Sequence, residues 1–306
     1  MTDSSPAVSI LIATHNRGPF LEGLLRALEA SRSTAGVPSE VLIIDNGSTD
    51  RTAAVLEGWA ATGPKRRRLF VAHPGKSRAL NHALQFARAP LLAFTDDDVE
   101  LEHDWLKELI AFFSKYPHYD AATGRVLVPP SVTDAEVCRR IDYFRTIPLF
   151  DGGSVVGDSH HLYGCNMGVR RRVFDAVGGF NERLGPGASG LHDDGDLAER
   201  ILRAGMRIGY MPATVVYHTV EPTRLTPEYF RLLHLRDARS RFEMKPDQPR
   251  SRSVAHLLGA AAVFTLWLLL GQPARRMRAR GRMLFYSEFL RLQFRRVTTY
   301  HRCSTM

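Results

Sequence analysis

The sequence is poor in cysteine. Its 306 residues hold three, Cys138, Cys165 and Cys303, far apart and with no C-x-x-C pair. That argues against a disulfide framework and a cysteine-built zinc site, and it fits a reducing compartment. A basic n-region is missing from the start. "MTDSSPAVSILIATHNR" carries only a short apolar run and does not read as a signal peptide. There is no internal repeat and no low-complexity segment. Long hydrophobic runs are scarce. One stretch, "VAHLLGAAAVFTLWLLLG" at 254–271, is apolar except for His256 and Thr265. Its length sits at the lower edge for a bilayer-spanning helix.

What is present is globular. The chain is 44% hydrophobic and 24% charged, sized for one large α/β domain with an extension, or for two domains. The formal net charge is +9, and it is unevenly placed. Residues 219–306 hold 17 Lys/Arg against 6 Asp/Glu, which leaves 24 against 26 for residues 1–218. The basic excess therefore lies in the last part of the chain. A uniformly basic nucleic-acid binder would look different, so nucleic acid is not the expected partner.

Local patterns alternate between strand and helix. "AVSILIAT" (7–14), "EVLIID" (40–45), "LFVA" (69–72) and "LLAFT" (91–95) are short apolar runs of strand type. Helical patterns separate them. Leu21, Leu24, Leu25 and Leu28 repeat on one face after Pro19, and "GKSRALNHALQFAR" follows the third strand. This alternation predicts a mostly parallel sheet covered by helices on both faces. Further on, 104–116 and 193–205 read as helices, the second with acids in its first turn and Gly205 as its stop. "CNMGV" (165–169), "RIGYM" (207–211) and "VVYH" (215–218) read as strands. A basic amphipathic helix begins near Thr226, "QPRSRS" breaks it, and "MLFYSEFLRLQFRR" reads as a last helix.

In such sheets ligands bind outside the carboxyl ends of the strands. Asn16, Asp45 and Asp96–Asp98 all fall just beyond strand ends. Three adjacent aspartates repel one another by about 4 kcal/mol per close pair at an effective dielectric near 20. Two readings fit: solvated loop charges, or carboxylates gathered for a hard cation such as Mg²⁺ or Mn²⁺. Asp96 and Asp98 have the D-x-D spacing that turns two carboxylates the same way. Two competing motifs fail. The haloacid-dehalogenase pattern wants Thr or Val where Glu100 stands, and a P-loop ending at "GKS" wants glycine where Phe70 stands.

The ordered segments "VSILIATHNR", "EVLIIDNGSTD", "GKSRALNHAL", "LLAFTDDDV", "GCNMGVRRRVFDAVGGFNERL" and "GLHDDGDLAERILRAG" resemble the family 2 glycosyltransferases over roughly residues 7–220. The resemblance implies a GT-A-type nucleotide-diphospho-sugar transferase fold, Rossmann-like, with residues 1–225 as the catalytic domain and 226–306 as a helical extension. It implies inverting transfer of a sugar from a nucleotide-diphosphate donor to a glycan or lipid-linked acceptor hydroxyl. By the same resemblance, Thr14, Asn16, Arg17 and Asp45 would contact the base and ribose, with Lys76, Asn81, Asp96 and Asp97 near the nucleotide. Asp98, with Asp96 and His218, would hold Mn²⁺ or Mg²⁺. Asp194 would be the general base. Asp193 stands where relatives often carry Glu, one methylene longer, which leaves its role open.

Each residue has a plainer reading beside this one. Asp193 and Asp194 also suit a helix N-terminus, Asp196 reads as structural, and His218 as a hydrogen-bonded strand end. Asp45 also suits its own Asp-Asn-Gly-Ser turn, and Lys76 an ordinary surface. Arg170–Arg172 and the segment 130–163 are expected on the acceptor side, with His160 and His161 as surface or substrate contacts. Arg224 is placed to swing onto a diphosphate. Arginines flank the apolar run at 254–271 on both sides, so the expectation for 226–306 is association with an anionic membrane surface at the cytoplasmic face. The competing readings are a full span and a buried core helix. A metal-dependent phosphohydrolase, and a transferase-like scaffold or nucleic-acid binder using the basic tail, stand as the alternative functions. The sequence fixes no oligomeric state.

Overall fold

The computed structural model describes residues 5–303, with side chains described up to Arg296. The Cys303 side chain lies outside that range; Cys138 and Cys165 are free thiols. In chain order the elements are β1 (Val8–Thr14), α1 (Gly18–Ala35), β2 (Ser39–Asp45), α2 (Thr52–Ala60), β3 (Arg66–Phe70), α3 (Lys76–Leu84), β4 (Leu91–Thr95), β5 (Val99–Leu101), α4 (Trp105–Lys115), β6 (Ala121–Leu127), α5 (Ala135–Phe144), β7 (Gly157–Asp158), β8 (Asn166–Arg170), α6 (Arg171–Val177), α7 (Asp193–Arg203), β9 (Ile208–His218), α8 (Pro227–Met244), α9 (Arg250–Leu269) and α10 (Pro273–Cys303).

The chain divides into two compact units. The first holds residues up to Pro129, Leu149–Ala188 and Asp193–Thr219; the second holds Pro130–Pro148, Ser189–His192 and Val220 onward. In the first unit the strands form one sheet in the order β3-β2-β1-β4-β8-β6-β9-β5, with β7 on β9. Strands β3, β2, β1 and β4 run parallel. β8 runs antiparallel to both β4 and β6, and β5 and β7 antiparallel to β9. The sheet is thus mostly parallel through its first half and mixed in its second.

Alternation along β1 explains the two layers. Val8, Ile10 and Ile12 pack with Leu21, Leu24 and Leu28 of α1 and with Trp105 of α4 on one face. Leu11 packs on the other with Leu80 of α3 and with Leu197 and Ile201 of α7. Helix α1 has a proline in its first turn and stops at Gly36, whose φ of 63° suits a residue without Cβ.

Three readings of the sequence need correction. "RIGYM" and "VVYH" are one strand, β9; Pro212, Ala213 and Thr214 bulge out where β6 passes from Gly124 to Arg125. A proline without N–H breaks the ladder there, so the run looked like two strands. A Cβ on Gly124 would stand 2.3 Å from Thr214 O, which only glycine avoids. Helix α9 begins at Arg250, inside the "QPRSRS" taken as a break. Helix α10 takes in "QPARRMRARGR" from Pro273 together with the last predicted helix.

The second unit is helical. Asp134 caps α5 by accepting from Glu136 N and Val137 N. Thr226 caps α8 by accepting from Tyr229 N. Glu288 on α10 binds Arg239 of α8 at 3.0 Å and its neighbour Arg291 at 2.6 Å.

Candidate active site

Because β1, β2 and β4 are parallel, their carboxyl ends deliver side chains to one rim. The β1 and β2 ends are tied together first. Asn16 sits at φ 53°, accepts Thr49 N at 2.8 Å through Oδ1, and its own N–H donates to Ser48 Oγ. Asp45 is fully buried. Its Oδ1 accepts Ser48 N, closing the expected turn, and its Oδ2 pairs with Arg68 Nη2 at 3.0 Å. Both oxygens of Asp45 therefore have partners within the protein, and the partly exposed group at this position is the Arg68 guanidinium.

The β4 end carries the acids. Arg17 reaches them from β1: its Nε lies 3.5 Å from Asp97 Oδ1 and its Nη2 3.6 Å from Asp98 Oδ2. Burial, then the neighbouring Asp98 charge, pushes the Asp97 carboxyl up to about 7. β5 follows at once and pairs with the end of β9, setting Val99 opposite His218. This brings His218 Nε2 to 3.7 Å from Asp98 Oδ1. The other ring nitrogen, Nδ1, lies 3.0 Å from Thr219 O. A carbonyl only accepts, so Nδ1 carries a proton, and Nε2 is the ring atom turned toward the carboxylate.

Among the described residues no three His, Cys, Asp or Glu side chains gather into a metal cage. Asp98 and His218 are a pair. One carboxylate oxygen and one imidazole nitrogen are chemically suited to Mn²⁺ or Mg²⁺ whose remaining ligands come from a substrate phosphate.

Lys76 opens α3 after Gly75, whose φ is 140°. Its Nζ lies 2.5 Å from Asp96 Oδ1. Burial works against the ammonium, but Asp96 and then Asp193 hold its pKa above the ordinary lysine range. Asp194 at the start of α7 accepts from Gly164 N at 2.9 Å and Gly195 N at 2.7 Å. A Cβ built on Gly164 would lie 3.5 Å from Lys76 Nζ and 3.6 Å from Asp194 Oδ2. The ammonium and that carboxylate thus flank a glycine with no side chain to separate them. Asp193 is buried behind, and a Cβ on Gly185 would meet its Cγ at 2.9 Å. Burial pushes the Asp193 carboxyl up, against the pull of Lys76.

The other sequence candidates separate cleanly. Asp196 pairs with Arg200 one turn along α7 and is structural. Thr14 is buried at the end of β1. Asn81 spends its amide on the 179–182 segment, accepting Phe180 N and donating to Phe180 O and Glu182. The contacts of Asn81 are with this segment and not with the acids. Arg224 pairs with Glu221 in the second unit. Sequence reasoning missed Arg68, Gly164 and Asn46. Asn46 clamps Val71 O and His73 O and accepts Gly75 N, so it fixes the loop before Lys76.

Comparison with known proteins bears on this rim. The model of glycosyl transferase family 2 matches residues 9–178, more than half the chain. The chain belongs to that family. It is 28% identical over 216 residues to the beta-monoglucosyldiacylglycerol synthase of Synechocystis sp., covering 67% of this chain and 42% of the synthase. The chain thus spans less than half the length of that relative. It is 27% identical to the succinoglycan biosynthesis protein ExoM of Rhizobium meliloti, over 73% of this chain and 70% of ExoM. Among solved structures it is similar to the mannosyltransferase PcManGT from Pyrobaculum calidifontis in complex with GDP-Man and Mn²⁺. The TM-score is 0.61 at 19% identity, over 96% of this family member and 88% of PcManGT. GalNAc-T7 with UDP, GalNAc and Mn²⁺ matches at a TM-score of 0.53 and 16% identity, over 72% and 45%. The fold is of the GT-A type, with helices at its C-terminal end.

Proposed function

We propose that this protein is an inverting glycosyltransferase, moving a sugar from a nucleotide-diphosphate donor to a hydroxyl of a glycan or lipid-linked acceptor. The observation that carries the reading is the placement of Lys76 beside both Asp96 and, across Gly164, Asp194. Two acid groups far apart in sequence meet around one half-buried cation within a chain of this family.

The donor side is Arg17, Lys76 and Asp96–Asp98. Asn16 and Asp45 shape the nucleotide loop from beneath, and Arg68, held by Asp45, faces the nucleotide. Thr14 and Asn81 support this wall through the backbone they hold. Asp98 and His218 would hold Mn²⁺ or Mg²⁺, and Asp96 stands beside them. Bound there, the cation would stabilise charge growing on the leaving diphosphate. Lys76 and Arg17 add fixed positive charge on the same side.

Asp194 is the general base. Each of its oxygens accepts one backbone N–H and keeps a second lone pair for an acceptor hydroxyl. Those two bonds fix the carboxylate's direction toward the site it would serve as base. Asp193 is buried against Gly185 and positions the α7 start. Residues 1–225 are assigned as the catalytic domain and 226–306 as an extension that meets an anionic membrane surface at the cytoplasmic face. The named relatives, a diacylglycerol glycoside synthase and a succinoglycan protein, support an acceptor of glycolipid or polysaccharide type.

The test is thermal stability with UDP, GDP, dTDP and ADP, each with and without Mn²⁺. A ligand at 100 times its Kd stabilises by about 2.7 kcal/mol. A metal-dependent shift with one nucleotide is expected; no shift with any would remove the donor site.

A further inference from the structure

We infer that α9 and α10 act as one hairpin lying flat in the interface of an anionic lipid bilayer, with α9 buried to the acyl boundary and not crossing it. This rests on the proposed membrane partner of 226–306 and states how that partner is met.

The first observation is register. Arg250 on α9 donates to Gln293 O at 3.1 Å and lies over the Phe294 ring. His256 stacks on Tyr286 with centroids 5.0 Å apart. Arg275 lies 4.6 Å over Trp267. One helix is climbed as the other is descended, so α9 and α10 stay antiparallel and in contact from end to end. Gly271, at φ 62°, makes the turn between them.

The second is the division of α9 into two apolar faces. Ser253, Leu257, Ala260, Phe264 and Trp267 repeat every three or four residues and are buried or half-buried; that spacing is a packing stripe. Leu258, Leu268 and Leu269 lie outside it and are 65%, 49% and 79% exposed. Helix α9 is thus apolar on the side it has already packed and on the side it has not.

The third is charge. Carried inward, the register sets Arg278, Arg280 and Arg282 of α10 alongside residues 260–264, the middle of α9. All three are exposed, as is Arg275. A helix crossing the bilayer with α10 attached would take these guanidinium groups into hydrocarbon, where each is strongly disfavoured. Length does not decide against a span, since α9 is by itself long and apolar enough to cross a bilayer; the arginines carried beside it do. Lying flat satisfies both halves: leucines enter the acyl boundary while arginines stay among anionic headgroups. Arg275, Arg278 and Arg282, spaced three and four apart, share one side of α10; headgroup phosphate suits that set, which makes a lipid surface the favoured occupant over a second copy of the chain.

The test uses the full chain with sealed vesicles of phosphatidylcholine, alone and with roughly one third phosphatidylglycerol. Flotation is expected with the anionic vesicles. The exposed-face variant Leu258→Glu/Leu269→Glu is expected to lose at least about tenfold in bound fraction, since charge on the inserted face opposes burial. Its nucleotide-dependent thermal shift should be unchanged, which separates failure here from failure of the transferase reading. Topology is read with Ser251→Cys and Gln272→Cys, one at a time, in a chain carrying Cys138→Ser and Cys303→Ser. An impermeant maleimide should modify both positions equally from outside. Protection of one end means a span and overturns the inference. So does binding that survives both glutamates, or a dimer by light scattering that ignores vesicles.

Discussion

His218 Nε2 and Asp98 Oδ1 face each other 3.7 Å apart, and the far nitrogen of the ring is committed to the Thr219 carbonyl. A cation between them would draw on both, and Asp98 also faces the Arg17 guanidinium at 3.6 Å. Asp98→Asn and His218→Phe are therefore expected to abolish the Mn²⁺-dependent part of the nucleotide thermal shift while the protein stays folded. Turnover should fall by about 10²-fold or more for Asp98→Asn. Full metal-dependent binding in either variant would remove the pair from the donor site.

Asp194→Asn keeps the shape of the side chain and its acceptor oxygen but cannot take a proton. Its kcat should fall by about 10²–10⁴-fold. Donor affinity, read by titration of the nucleotide, should stay near wild type. A variant that turns over normally would end the general-base assignment; one that loses donor binding would place Asp194 on the other side of the reaction.

The pH dependence of stability has a sign set by Asp193. Burial pushes its carboxyl up; Lys76 pulls the other way, and the Asp194 charge adds to the rise. A carboxyl raised in the fold keeps its proton longer there than in the unfolded chain. Its contribution is complete below the ordinary carboxylate range, about 3.9, and is lost as pH rises through the raised folded value. Asp193→Asn removes the charge with little change of shape. Its Tm should match wild type near about pH 4 and exceed it by about pH 7.5. A gap that does not change with pH would show that ionisation of Asp193 carries no cost.

Asn166 is a fully buried amide at the start of β8. It accepts Trp105 Nε1 at 2.9 Å and donates to Arg125 O and Thr214 O. Asn166→Ala strands one indole N–H and two carbonyls in the core. A loss of about 2–4 kcal/mol is expected by denaturant titration. A loss under about 1 kcal/mol would mean that water replaces the amide.

Much of this was legible before any coordinates. β1, β2 and β4 were readable because each is a nearly continuous apolar run, whereas β3 starts three residues before the apolar stretch read at 69–72. Helices α1 and α4 were readable because their leucines and aromatics repeat on one face, and α7 by its first-turn acids and Gly205. The acids at 96–98 and 193–194 were readable as two groups. Their joining through Lys76 and Gly164 was not, because a glycine beside a charged site looks like any loop glycine. Arg68 hid inside Arg66–Arg67–Arg68, which reads as a solvated charge run until a strand's two-residue period turns one arginine toward Asp45. Pairing direction was also hidden: nothing in "CNMGV" says that it runs against its neighbours.

That reversed strand has a consequence for how the chain assembles. β4 lies between β1 and β8, and Thr95 waits for Asn166, some seventy residues later, before its outer edge is paired. A nascent chain that has emerged only through β6 holds the Rossmann-like half with its β4 edge open as well as its β3 edge, and its first acids already in place. Non-local pairings of this kind slow folding and leave an edge on which intermediates aggregate. The second acid group opens α7, which follows β8 only after α6, so the β4 edge is paired before the chemistry is complete. A polypeptide cut short before residue 165 would be left with neither.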